Sequence, residues 1–215
     1  MKHFILRLLT MITGLTFFAF GVVLTIKANI GYAPWDVFHV GLANKIGLSL
    51  GIVSIAVGLI LVVIVTLLKE KFGLGTISNI VLIGIFIDII FYLDIIPTMD
   101  NLIIGIVMLI FGLFIIAIGA YFYIKSGFGV GPRDNLMVVL ARRIKLPAGV
   151  CRSIIELLVT IFGWLLGGMV GIGTVISVIA IGFCIQIVFR LFKFDVTAVK
   201  HETLAETFAA LRQKQ

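Results

Sequence analysis

Residues 125–135 read KSGFGVGPRDN, and they follow an uncharged run, Leu102–Ile124, long enough to cross a bilayer. Three glycines, a proline, an arginine and an aspartate are not core-packing residues. Residues 27–37 read KANIGYAPWDV, nearly the same phrase. Gly31 and Gly129 stand 98 residues apart (129 − 31), and the offset extends far beyond the two phrases. It pairs Gly14 with Gly112, Gly21 with Gly119, Lys27 with Lys125, Pro34 with Pro132, Asp36 with Asp134, Gly51 with Gly149 and Gly84 with Gly182. The triplet Gly73, Gly75, Thr76 returns as Gly171, Gly173, Thr174. No gap is needed from Ile12 to Phe91, and about a third of the aligned positions are identical. Shared aliphatic residues are cheap in an apolar chain, but matched Gly, Pro, Lys and Asp are not. The chain is therefore read as an internal duplication.

Composition sets the solvent. Of 215 residues, 61% are hydrophobic and 13% charged, about half the roughly 25% charge of soluble proteins. Leu8–Ile26 and Leu50–Leu68 are further uncharged runs of spanning length. So few charges cannot clothe a soluble protein of this size, which makes this an all-α integral membrane protein. The first run is longer than a signal-peptide core and no small-x-small cleavage site follows it, so it is expected to stay as a span. The net charge of +7 is not read as a nucleic-acid footprint, because the cations lie between spans. Cys151, Cys184 and the three histidines show no ligand or disulfide spacing. No cofactor or metal is expected, and the cysteines read as reduced packing residues.

Each repeat carries three expected spans, near 4–26, 50–68 and 76–96, then near 102–124, 148–167 and 174–193. Three is odd, so the second copy must enter the bilayer from the opposite side. The expectation is one membrane domain, 1–195, made of inverted-topology repeats at about 5–97 and 101–195. One side collects Lys2, Arg7, Lys69, Lys71, Arg133, Arg142, Arg143, Lys145, Arg190, Lys193 and Lys200. The other has Lys27, Lys45, Asp94 and Asp100. The positive side is expected to face the cytoplasm of a bacterial inner membrane, with both termini there. Residues 196–215 place Val199, Leu204, Phe208 and Leu211 at helical spacing, as in a short amphipathic helix at that surface.

The repeated phrase is G-x-x-P-x-D, at Gly31–Pro34–Asp36 and Gly129–Pro132–Asp134. Glycine permits a sharp turn and proline fits the first helical position. Aspartate in the first turn meets unpaired N–H groups and the positive dipole end, so Asp36 and Asp134 are expected to cap. Each repeat thus gains a short helix entered by a break after its first span. Two placements are open: flat at the interface, or dipping inward so that the two broken ends face each other, as at transporter sites. Trp35 pairs with Arg133 by the offset, and His39 with Met137. Trp35 suits an outer aromatic belt, and Arg133 suits an inner headgroup or an anionic ligand. Asn135 follows in the second copy.

Ionisable residues inside spans are costly there, by at least about 2.5 kcal/mol on insertion scales. Asp88 falls ~18 Å along its helix from Thr76, near the expected midplane, and its repeat mate is Gln186. The two are read as a polar site or as an interhelical hydrogen bond. Arg152 and Glu156 sit one turn apart and pair on one face, while their mates are Ser54 and Gly58. No arrangement for catalysis is present, so an enzyme is not expected.

The GYAPWD and GVGPRDN segments, each followed by a short helix and a GLGT or GIGT turn, resemble the YczE/YitT-like family of bacterial multi-pass membrane proteins. The resemblance covers residues 5 to about 193 and implies a bacterial inner-membrane location, without substrate or residue roles. The functional expectation is a small transporter or channel with a site between the repeats, drawn from Asp88, Gln186, Glu156, Arg152, Asp36, Asp134, Arg133, Trp35 and Asn135. The alternative is a non-transporting scaffold acting through a protein partner. The expected partners are the lipid bilayer and a small molecule or ion, with a homodimer left open.

Overall fold

A computed structural model of the chain describes residues 2–195, 199 and 201–207. Among the described residues the elements are eight helices: α1 (Lys2–Lys27), α2 (Pro34–Ile46), α3 (Leu50–Leu67), α4 (Leu74–Leu93), α5 (Leu102–Lys125), α6 (Pro132–Ile144), α7 (Ala148–Leu165) and α8 (Ile172–Leu191). Their order and bounds follow the expected spans closely, with α2 and α6 as the short helices after each break. Five helices (α1, α3, α4, α5 and α8) are long and apolar enough to cross a membrane alone. A sixth span arises if α6 and α7, bent by 120° at their junction, count as one. The six spans expected from sequence are therefore five, or up to six.

Local chemistry sets the boundaries. Asn101 Oδ1 accepts the N–H groups of Ile103 (2.9 Å) and Ile104 (3.2 Å) at the start of α5. Pro34 and Pro132 open α2 and α6, where a missing N–H costs nothing. Thr76 and Thr174 accept from the N–H of Gly73 (3.4 Å) and Gly171 (3.2 Å), which caps α4 and α8.

The centre of the protein is the crossing of α1 and α5. A methyl group on Gly21 would stand 2.7 Å from the Gly112 carbonyl, and one on Gly119 would stand 2.7 Å from the Gly14 carbonyl. The later glycine of α1 meets the earlier one of α5 and the reverse, so the helices run antiparallel. Only glycine lets two backbones approach this closely, which is how helices associate without a hydrophobic drive. Around this crossing α4 packs on α1 and α8 on α5. The short helices exchange places: α2 lies on α7, and α6 lies on α3.

The tail, as far as it is described, folds onto its own chain. Arg7 pairs with Glu202 at 2.6 Å, and the Glu202 and Leu204 N–H groups donate to Gly127 (2.9 Å) and Phe72 (3.0 Å) carbonyls. Only residues 204–207 form a helical turn. The expected short amphipathic helix also takes in Phe208 and Leu211, which lie outside the described residues.

Gly21→Ala should lower stability by about 1–3 kcal/mol, the usual penalty of overpacking a tight contact. Gly182→Ala, where an added methyl meets nothing within 4 Å, should cost nothing measurable. Unfolding of both variants in detergent checks the contrast.

Candidate functional site

Each break is held by the other repeat. Gly173 N–H donates to the Ile30 carbonyl at 2.7 Å, and Gly75 N–H donates to the Phe128 carbonyl at 2.7 Å. The four residues obey the same 98-residue offset. Gly31 (φ +112°) and Gly129 (φ +121°) turn the chain in the left-handed region, where a side chain is disfavoured. A methyl on Gly31 would also sit 2.6 Å from the Gly171 nitrogen. Thr76 adds a hydrogen bond to the Val130 carbonyl at 2.7 Å, and Asn135 donates to the Lys71 carbonyl at 3.3 Å.

These anchors aim both short helices at one cavity of about 590 Å³. Trp35, Asp36 and His39 enter from α2, and Arg133 and Asp134 from α6. Arg152 and Glu156 enter from α7, Asn79 from α4, Ser54 from α3 and Tyr123 from α5. The remaining wall is aliphatic and aromatic, from Val57 and Ile83 to Ile116 and Ile185. The Arg133 guanidinium lies 4.9 Å from the centre of the Trp35 ring and 3.3 Å from His39 Nδ1. Trp35 and Arg133 are repeat mates, so they meet where the two halves face each other. Trp35, expected in an outer aromatic belt, and Arg133, expected at an inner headgroup or an anionic ligand, both lie half-buried on the cavity wall.

A guanidinium only donates, so His39 Nδ1 accepts and the imidazole proton sits on Nε2. That N–H is buried without a partner, as is the Tyr123 hydroxyl. His39 is 2% exposed and Asp36 7%. Buried polar groups are normally satisfied; these two orphan atoms lie just beneath the cavity wall and are closed to water as the wall stands. Arg152 and Glu156 form the expected one-turn pair, with Nε 2.8 Å from Oε1.

Three expectations fail. Neither Asp36 nor Asp134 makes a side-chain cap bond; Ala33 and Gly131 are the cap residues. The first-turn N–H groups of Asp36 and Val37 instead bond the Ala33 carbonyl, both at 2.8 Å. The two carboxylates are left to the cavity. Asp88 is not at a midplane site. Its Oδ2 accepts the Ser49 hydroxyl at 2.5 Å and its Oδ1 accepts the Gly51 N–H at 2.7 Å, so it ties the start of α3 to α4. Gln186 is exposed on α8 and lines no cavity with Asp88. Asn135 likewise positions the α6 entrance rather than lining the site. His39, Tyr123, Asn79 and Ser54 line the cavity without being among the expected site residues, although the offset set His39 against Met137 and Ser54 against Arg152. His39 alone carried a signal, since it sits one turn from Asp36 and must share its face.

A family model described as "Family of unknown function (DUF6198)" matches residues 5–190. The chain belongs to this family. It is 33% identical over 187 residues to the uncharacterized membrane protein YczE of Bacillus subtilis, covering 86% of each chain. An uncharacterized protein of Haemophilus influenzae is 32% identical over 173 residues, 80% of this chain and 78% of that one. YyaS of Bacillus subtilis is 27% identical over 177 residues, 81% of this chain and 88% of its own. No solved structure matches significantly. These relatives bear out the YczE-like resemblance and the membrane nature of the chain.

A double-mutant cycle should measure the contact between the halves. Trp35→Leu and Arg133→Met, singly and together, should give a coupling of about 0.5–2 kcal/mol in unfolding experiments, the range of cation–π pairs. Strictly additive effects would mean that the two side chains do not interact.

Proposed function

We propose that this protein is a small transporter of the bacterial inner membrane, with its ligand site in the cavity between two inverted three-helix repeats. The 98-residue offset, the antiparallel crossing of α1 and α5 and the exchanged packing of α2 and α6 support the inverted arrangement. In this reading α7 is the sixth span, and the lysine and arginine bias puts both termini in the cytoplasm. One observation carries the proposal: the repeat mates Trp35 and Arg133 meet on the wall of a cavity that both broken helices enter. Helix N-termini bring positive dipole ends to such a place, and the wall adds Asp36, Asp134 and Glu156 against Arg133 and Arg152. The ligand replaces hydration at these groups, and exchange of the two repeats between equivalent packings moves access from one side to the other.

Alternating access has a direct signature at Ser54, which lines the cavity from α3. Ser54→Cys in a Cys151→Ala, Cys184→Ala background should react with a small membrane-impermeant thiol reagent applied to either face of the membrane. Reaction from one face only, or from neither, would remove the transport reading.

A further inference from the structure

The two repeats close their walls differently. In the first, α3 seals against α4. A methyl on Gly84 would stand 2.7 Å from the Gly51 carbonyl, and Asp88 bonds both Ser49 and Gly51. The equivalent positions in the second repeat are Pro147, Gly149, Gly182 and Gln186. Proline has no hydroxyl, and a carboxamide lacks the charge that strengthens a hydrogen bond. A methyl on Gly149 or Gly182 would meet nothing within 4 Å. Among the described residues, no packing comparable to α3 on α4 joins α7 to α8. Both helices nevertheless line the one cavity, so the gap between them is a cleft in its wall.

That cleft leads into the cavity. Ile155 and Glu156 of α7 line it on one side, and Ile181 and Ile185 of α8, neighbours of Gly182 and Gln186, line it on the other. Its outer lips are apolar: Ile154, Leu157 and Leu158 on α7, and Val178, Ile179 and Phe183 on α8, are all exposed. Exposed aliphatic side chains on spanning helices face hydrocarbon, so the opening is to the bilayer rather than to water.

The interior matches what a bilayer would supply. Most of the wall is aliphatic, with the polar groups gathered around the entrances of α2 and α6. The guanidiniums of Arg133 and Arg152 on the wall only donate, so a ligand head must bring acceptor oxygens. Three carboxylates face two guanidiniums, so the head must also bring a cationic centre. We propose that the site takes a single-chain amphiphile with a zwitterionic head, entering sideways from the membrane between α7 and α8. The proposal rests on the reading of the cavity as the ligand site and adds the ligand's class and route.

Trp35 is the built-in reporter. The second tryptophan, Trp164, is exposed on α7 and is removed by Trp164→Phe. The full chain in nanodiscs is then titrated with lysophosphatidylcholine brominated on its chain, with a fatty acid brominated at the same carbons, and with acrylamide as an aqueous quencher. The expected result is loss of Trp35 emission with the brominated lysophosphatidylcholine and a smaller loss with the fatty acid. Gly182→Phe, which fills the cleft at an open position, should reverse that loss while leaving the unfolding temperature unchanged. Equal quenching by both amphiphiles would overturn the head-group assignment. Quenching that survives Gly182→Phe would overturn the lateral route. Quenching by acrylamide alone would overturn the amphiphile and leave an aqueous ligand site standing. No quenching by any probe, as when a second copy covers the cleft and the cavity is closed, would remove both the inference and the ligand-site reading beneath it.

Discussion

Two hydrogen bonds decide what the rest of the molecule can be: Gly75 N–H to the Phe128 carbonyl, and Gly173 N–H to the Ile30 carbonyl. A break between helices leaves backbone N–H and C=O groups without helical partners, and burying one unpaired costs a few kcal/mol. Here each break is satisfied by the glycine turn of the other half. Neither repeat can therefore hold its own broken helix in place. The two breaks are mutually dependent, and the ends of α2 and α6 are fixed relative to each other rather than to the bilayer.

From that constraint the site follows. Anchored breaks hold α2 and α6 against α7 and α3, which leaves their first turns to form a wall instead of a surface. Arg133 then lies over Trp35 and beside His39. In this low-dielectric setting a guanidinium is kept by its neighbours, an aromatic face and nearby carboxylates, rather than by water. The duplication supplies the frame, and the differences between mates supply the chemistry. Arg152 and Glu156 stand where the first copy has Ser54 and Gly58, so the charge of the site is concentrated in the second repeat.

The spans were legible because hydrocarbon demands long uncharged runs, and the duplication was legible because glycines at helix crossings and breaks tolerate no replacement. The offset also joins the four residues that hold the breaks, Ile30 with Phe128 and Gly75 with Gly173. What local sequence could not show was contact across the halves. Depth along α4 placed Asp88 at a midplane, but α3 begins beside it, and its two donors turn the carboxylate into a clasp. First-turn position suggested that Asp36 and Asp134 cap. The proline-led turns use backbone bonds instead, and the carboxylates turn to the cavity. Tyr123 gave no signal at all, because its mate is Thr25 and its neighbours are apolar.

The central claim is that the two broken ends meet in the interior instead of lying at opposite membrane surfaces. Spin labels at Trp35→Cys and Arg133→Cys, in a chain with Cys151 and Cys184 replaced by alanine and reconstituted in lipid, measure it directly. The account predicts strong dipolar broadening and a separation below about 20 Å. A separation near the ~30 Å thickness of the hydrocarbon core would put the two helices on opposite faces and contradict it.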